Sequence, residues 1–222
     1  MNTTKIGVLM LDTSFNRPIG DIGNPASFSF PVTYEIVEKA TVERVLKKAD
    51  RSVIDPFILA AKKMERKGVK AITTSCGFLA LFQKDIQQEL SVPFYSSALI
   101  QIPMVSLIVG GTVGVLTASK KKLTNKHLEG VDVDPAFVVT AGMDQMPAFT
   151  QAIVDETAPL DMEQVALEIM QAIKELVENN PDIRAIVLEC TNLPPYKEAI
   201  KRVTDLPIFD IHSLTNYVYH AL

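Results

Sequence analysis

The stretches "GVKAITTSCG" (68–77) and "DIRAIVLECT" (182–191) say the same thing twice. Each is a β-branched apolar run that ends on a cysteine, the pattern of a buried strand followed by a turn. The two cysteines, Cys76 and Cys190, are the only ones in the chain. Short strands opened by proline follow both: "SVPFYSS" (91–97) and "DLPIFDI" (205–211). The spacings agree, since 93 − 76 = 17 and 207 − 190 = 17. Before them stand "KIGVLM" (5–10) and "TVGVLT" (112–117), whose glycines lie 114 − 7 = 107 apart, against 190 − 76 = 114 for the cysteines. A similar series met twice in one order predicts two similar halves related by a pseudo-two-fold axis.

Helical segments fill the gaps. "DRSVIDPFILAAKKMERKG" places Val53, Phe57, Ile58, Ala61 and Met64 on one face, with Gly68 as a stop. "LDMEQVALEIMQAIKELVENNP" repeats this with Val165, Ile169, Ile173, Leu176 and Val177, an N-cap at Asp161 and Pro181 beyond its end. Strands alternating with helices predict an α/β fold with mainly parallel sheets. The strands are apolar on both faces, as a helix-covered parallel sheet requires. Gly110-Gly111 is the expected hinge. The expected lobes are 1–97 with 208–222, and 98–207.

The chain has 222 residues, 47% of them apolar and 22% charged, with a net charge of −4. This balance argues against a nucleic-acid partner. "SKKKLTNKH" reads as the solvated first turns of a helix, and His127 and His220 as surface helix positions. The N-terminal "MNTTKIGVLMLDTS" lacks the features of a secretory signal, and Ala98–Val109 is too short to span a bilayer. A cytoplasmic location without membrane association is therefore expected, where thiols stay reduced.

Ligands of open parallel sheets bind beyond the carboxyl ends of the strands. Both cysteines sit there, so the pseudo-symmetry points them at one cleft. Two inert core thiols remain possible, as free cysteine is often buried. Zinc is disfavoured because the spacing supplies no four-ligand set, and a disulfide by the compartment. The chemical reading is a pair of thiols on opposite sides of a planar carbon. One takes an α-proton as thiolate and the other returns a proton to the opposite face. The site would then have to lower the pKa of one thiol from about 8.5. Backbone N–H groups after each cysteine would favour the thiolate.

The stretches "TTSCG" (73–77), "VGVLTAS" (113–119), "LECTN" (188–192) and "FDIH" (209–212) resemble the aspartate/glutamate racemase superfamily, which includes hydantoin racemases and arylmalonate decarboxylases. The resemblance covers nearly the whole chain. It implies two pseudo-symmetric Rossmann-like subdomains with the active-site cleft between them, and no pyridoxal phosphate. It implies an isomerase: a cofactor-independent amino-acid racemase or epimerase with Cys76 and Cys190 as acid and base. A decarboxylase or isomerase of the same superfamily, or a non-catalytic protein that binds a small carboxylate, is the alternative. The expected substrate contacts are Asp12, Ser75, Gly77, Thr117, Ser119, Thr191 and Asn192. No metal is expected, and a homodimer is possible.

One departure bears on the substrate. Racemases of acidic amino acids in this superfamily usually carry Cys-Asn-Thr at the first cysteine, whereas this chain has Cys76-Gly77-Phe78. A less polar substrate side chain is therefore expected. The Gly-, Pro- and Phe-rich stretch 11–31 is expected to be a lid or binding loop. His212 is a candidate for tuning a thiol, with a structural role as the other reading.

Overall fold

The computed structural model describes residues 5–222; residues 1–4, the start of the N-terminal segment read above, lie outside the described residues. The strands are β1 (Ile6–Leu11), β2 (Val32–Val37), β3 (Ala71–Thr74), β4 (Phe94–Tyr95), β5 (Thr112–Thr117), β6 (Val138–Gly142), β7 (Ile183–Leu188) and β8 (Ile208–Phe209). The α-helices are α1 (Ile54–Arg66), α2 (Gln83–Gln87), α3 (Ile102–Val109), α4 (Asn125–Gly130), α5 (Pro147–Phe149), α6 (Met162–Glu178), α7 (Lys197–Ile200) and α8 (Ile211–Ala221).

They build two four-stranded sheets, ordered β2-β1-β3-β4 and β6-β5-β7-β8. Every strand pairing is parallel. The expected α/β architecture of two similar halves is thus present. The repeat extends to single hydrogen bonds. Ile72 N donates to the Pro93 carbonyl at 2.9 Å and Ile186 N to the Pro207 carbonyl at 2.8 Å. Both partners are displaced by the cysteine offset, since 186 − 72 = 114 and 207 − 93 = 114.

Alternation along the strands divides the core. Leu9, Leu11 and Ile72 pack with Phe57, Ala61 and Met64 of α1, and Leu116, Ile186 and Leu188 with Val165, Ile169 and Ile173 of α6. The intervening residues Ile6, Val8, Val113, Val115, Ala185 and Val187 join a second cluster with Leu99, Ile102, Val105 and Ile211. Segment 98–109 and α8 connect the sheets through this second cluster. The α8 helix packs on β3 and on the turn at Ala98–Gln101 as well as on β8, which is itself hydrogen-bonded into the second sheet. Asp161 caps α6 as its sequence predicts, accepting from the N–H groups of Glu163 and Gln164. Gly110, at φ +65°, ends α3 in the left-handed region and leads into β5.

The same layering encloses the inward face of α1. Phe57 is fully buried there. Phe57→Ala should cost about 3–5 kcal/mol of folding stability. Urea denaturation checks this, and a loss below about 1 kcal/mol would show that Phe57 is not a central core residue.

Candidate active site

Parallel register brings the carboxyl ends of β3 and β7 to one small cavity. Ser75, Cys76, Gly77, Phe78, Glu189, Cys190, Thr191 and Asn192 all line it. Both cysteines are free, and they are only 9% and 7% exposed. The chain turns sharply after each. Leu79 N donates to the Cys76 carbonyl and Leu193 N to the Cys190 carbonyl, both at 3.1 Å. The two turns are tied together, as Thr191 Oγ1 donates to the Ser75 carbonyl at 2.7 Å. Ser75 Oγ in turn accepts from Leu11 N at 2.9 Å, fixing the end of β1.

The two thiols differ in their partners. Backbone N–H groups point at both sulfurs, from Phe78 to Cys76 and from Asn192 to Cys190. Among the described residues only the Cys190 S–H also has an acceptor, Asn192 Oδ1 at 3.5 Å. That amide is oriented by its other end, where Nδ2 donates to Asp21 Oδ2 at 2.7 Å. Cys190 is therefore held as a thiol, while Cys76 only receives.

The long loop after β1 forms one wall of the cavity through Thr13, Phe15 and Arg17. Arg17 donates to Asp21 Oδ1 at 2.9 Å and to Thr13 Oγ1 at 2.8 Å. Its guanidinium lies over the Phe15 ring, 4.4 Å from the centroid. Two of its five N–H groups are thus engaged, and the other three have no acceptor among the described residues. The loop also reaches the second half, where Ser14 N and Oγ both donate to Glu156 Oε2 at 2.7 Å.

Not every residue expected at the site is there. Asp12 is exposed, and its Oδ2 accepts from Lys39 N at 3.1 Å outside the cavity. Ser119 donates to Asp144 Oδ1 at 2.6 Å and holds a turn. Thr117 is buried behind the cavity wall and donates to Glu189 Oε2 at 2.6 Å. His212 lies against the Phe28 ring, and its Nε2 meets the Gly20 carbonyl at 2.8 Å, so it supports the loop rather than a thiol. His127 is not a surface residue: it is buried, caps α4 with Thr124 and packs edge-on against Phe78. Burial lowers its pKa to about 4, so it is a neutral structural histidine.

Two ionisable cavity residues, Arg17 and Glu189, escaped the sequence reading, as did Asp21, which holds Arg17 and Asn192 from behind. The signal for Glu189 was a lone carboxylate in an otherwise apolar buried run, "AIVLEC". Arg17 and Asp21 sit in a loop whose pattern does not tell a buried ion pair from a solvated one. The expected depression of a thiol pKa is also absent. Burial first, and then the Glu189 charge, push Cys76 up to about 12 and Cys190 well above its ordinary value. The Phe78 N–H and the Arg17 charge act the other way on Cys76, whereas Asp21 pushes Cys190 further up.

Solved structures similar to the chain define the class of fold. Glutamate racemase from Francisella tularensis aligns with a TM-score of 0.58 and 20% identity, covering 100% of this chain and 83% of that one. A glutamate racemase isoform from Bacillus anthracis gives 0.60 and 17%, covering 100% and 84%. A variant of arylmalonate decarboxylase gives 0.55 and 15%, covering 91% and 86%. The fold is that of the aspartate/glutamate/hydantoin racemase superfamily.

Sequence relatives narrow this. The chain is 33% identical over 214 residues to a dimethylsulfoniopropionate lyase of Durusdinium sp. clade D, covering 92% of this chain and 70% of that protein. It is 31% identical over 229 residues to dimethylsulfoniopropionate lyase 7 of Emiliania huxleyi (strain CCMP1516), covering 98% and 67%. Against lyase 3 of that strain it is 30% identical and spans 59% of the longer protein. No family profile matches the chain. The chain belongs to the dimethylsulfoniopropionate lyase family. This overturns the expectation of an amino-acid racemase, because its sequence kin are lyases and only the fold is shared with racemases. Among the described residues no helix is long and apolar enough to cross a membrane.

Glu189 gives the site a pH signature. Burial raises its pKa from 4.5 to about 7, against the opposing Thr117 hydrogen bond. As pH climbs above the ordinary carboxylate range, the unfolded chain ionises this group first. Folding stability should therefore fall between about pH 4.5 and about pH 7 and lose no more from this source above that. Urea midpoints at about pH 5 and about pH 8, for the parent and Glu189→Gln, test this. The parent should show the larger decline, and equal declines would place Glu189 in contact with water.

Proposed function

We propose that this chain cleaves dimethylsulfoniopropionate by β-elimination, giving dimethyl sulfide and acrylate, with Cys76 as the base. The observation that carries the reading is the inequality of the thiols. Both sulfurs receive a backbone N–H, but Cys190 Sγ also donates to Asn192 Oδ1 and feels the Asp21 charge, whereas Cys76 has the Arg17 charge opposing the rise that burial gives its pKa. The thiolate removes the proton α to the carboxylate. The C–H electron pair becomes the Cα=Cβ bond, and the C–S pair leaves with sulfur. The leaving group departs as a neutral sulfide and needs no acid. One base therefore suffices, unlike inversion, which needs a proton on each face.

The cavity walls suit a small zwitterion. Arg17 retains N–H groups for a carboxylate, in a bidentate geometry that lysine could not offer. Phe15 and Phe78 present apolar rings on the same cavity, and a sulfonium with two methyl groups is a soft cation suited to aromatic faces.

The experiment is release of dimethyl sulfide from dimethylsulfoniopropionate by purified protein and two variants. Cys76→Ser should lower kcat by about 10²–10⁴. Cys190→Ser should stay within about tenfold of the parent, because it loses only an S–H bond to an amide. A silent parent would overturn the lyase reading. An active Cys76→Ser beside a dead Cys190→Ser would overturn the choice of base.

A further inference from the structure

The pseudo-symmetry breaks at one cavity position. Ser75 and Glu189 are equivalent, since 189 − 75 = 114, the cysteine offset. Their backbones match: Ser75 N donates to the Leu9 carbonyl and Glu189 N to the Leu116 carbonyl, both at 2.9 Å. Their side chains do not. Ser75 carries a small hydroxyl engaged by Leu11 N. Glu189 carries a carboxyl that is fully buried and lines the same cavity as both thiols.

That carboxyl is half satisfied. Oε2 accepts from Thr117, and Oε1 has no partner among the described residues. Oε1 occupies the space above Gly77, where any Cβ would overlap it, so the glycine after Cys76 makes room for the acid. A buried, unpaired carboxylate is costly, and a protonated one is far less so. Its O–H then needs an acceptor, and an anionic ligand in the cavity supplies one.

We propose that Glu189 is a second catalytic residue: a neutral carboxylic acid whose Oε1–H hydrogen-bonds the substrate carboxylate and stabilises the charge that builds on it. This rests on the lyase reading above. The α-proton passes to Cys76 Sγ, and the C–H pair delocalises onto the carboxylate as an enediolate. Glu189 holds that anion by hydrogen bonding. The pair then forms the Cα=Cβ bond as the C–S pair leaves with dimethyl sulfide, and Glu189 keeps its proton throughout. Donors aimed at developing charge in a dry site are among the strongest catalytic devices.

The surroundings agree. The titratable and charged groups lining the cavity beside Glu189 are Cys76, Cys190 and Arg17, with Asp21 held behind Asn192 and Arg17, and no cation among the described residues contributes to the Glu189 ionisation. Burial favours its neutral form up to about pH 7. The ionised form would raise both thiol pKa values, so neutrality also serves Cys76.

Two variants and one spectroscopic readout test this. Glu189→Gln keeps a neutral donor of nearly the same shape. It should hold kcat within about tenfold at about pH 6, and its rate should not fall on the alkaline side as the parent's does. Glu189→Leu fills the space without a donor and should lose about 10²–10³ in kcat. Infrared spectra of the parent at about pH 6 should show a protonated carboxylic acid band that Glu189→Gln lacks. Propionate, which has the carboxylate but no leaving group, should shift that band. Absence of the band or of the shift overturns the inference whatever the enzyme cleaves, as does an unchanged alkaline limb in Glu189→Gln. Failure of the parent to release dimethyl sulfide, with band and shift present, overturns the lyase reading and leaves the acid–carboxylate contact standing.

Discussion

The hydrogen bond from Thr191 Oγ1 to the Ser75 carbonyl, 2.7 Å long, joins the turns that carry the two cysteines. Each turn ends a buried parallel strand, so each is rigid to the extent that its sheet is rigid. Linking them fixes one half of the molecule against the other at the point where the chemistry lies. The remaining walls come from the loop after β1 and from apolar residues of both halves, Val42 and Leu46 on one side and Ile153 and Val154 on the other. That loop is anchored to the second cysteine turn by Asp21 and Asn192, and to the second half by Ser14 and Glu156.

Within this frame the two halves have diverged where it matters. The backbone repeat holds to the level of matched hydrogen bonds at Ile72 and Ile186. The cavity side chains depart from it: Ser75 is matched by Glu189, and Gly77 by Thr191. A symmetric pair of thiols suits inversion, which treats both faces of a carbon alike. Elimination of a sulfide treats them unequally. The differing environments of Cys76 and Cys190 fit the second task on a fold shared with enzymes of the first.

The fold was legible because its signals are local and repeated. Gly7 and Gly114, the apolar strands, Asp161 as a cap and the equal spacing to Pro93 and Pro207 all report backbone constraints that leave a mark on sequence. The convergence of Ser75, Cys76, Gly77, Cys190, Thr191 and Asn192 was legible for the same reason, as strand ends in parallel sheets share one edge. Asp12, Thr117 and Ser119 also sit at or just past strand ends, but their side chains turn toward Lys39, Glu189 and Asp144 instead. Rotamer choice of this kind depends on neighbours that are distant in sequence. The reaction was less legible still. Racemisation and elimination both begin with loss of an α-proton to a thiolate, so a pair of cysteines at matched positions does not separate them.

The claim that this cleft works as a one-base site is tested most directly with substrate carrying deuterium at a single, known α-position. Two preparations of dimethylsulfoniopropionate, labelled in opposite prochiral positions, would be converted to acrylate and examined for retained label. A base fixed on one face removes the same prochiral hydrogen every time. One preparation should therefore give acrylate that keeps its deuterium and the other acrylate that has lost it, with a primary isotope effect only in the second. Equal loss of label from both preparations would mean that both thiols take protons, and would contradict the assignment of Cys76 as the single base.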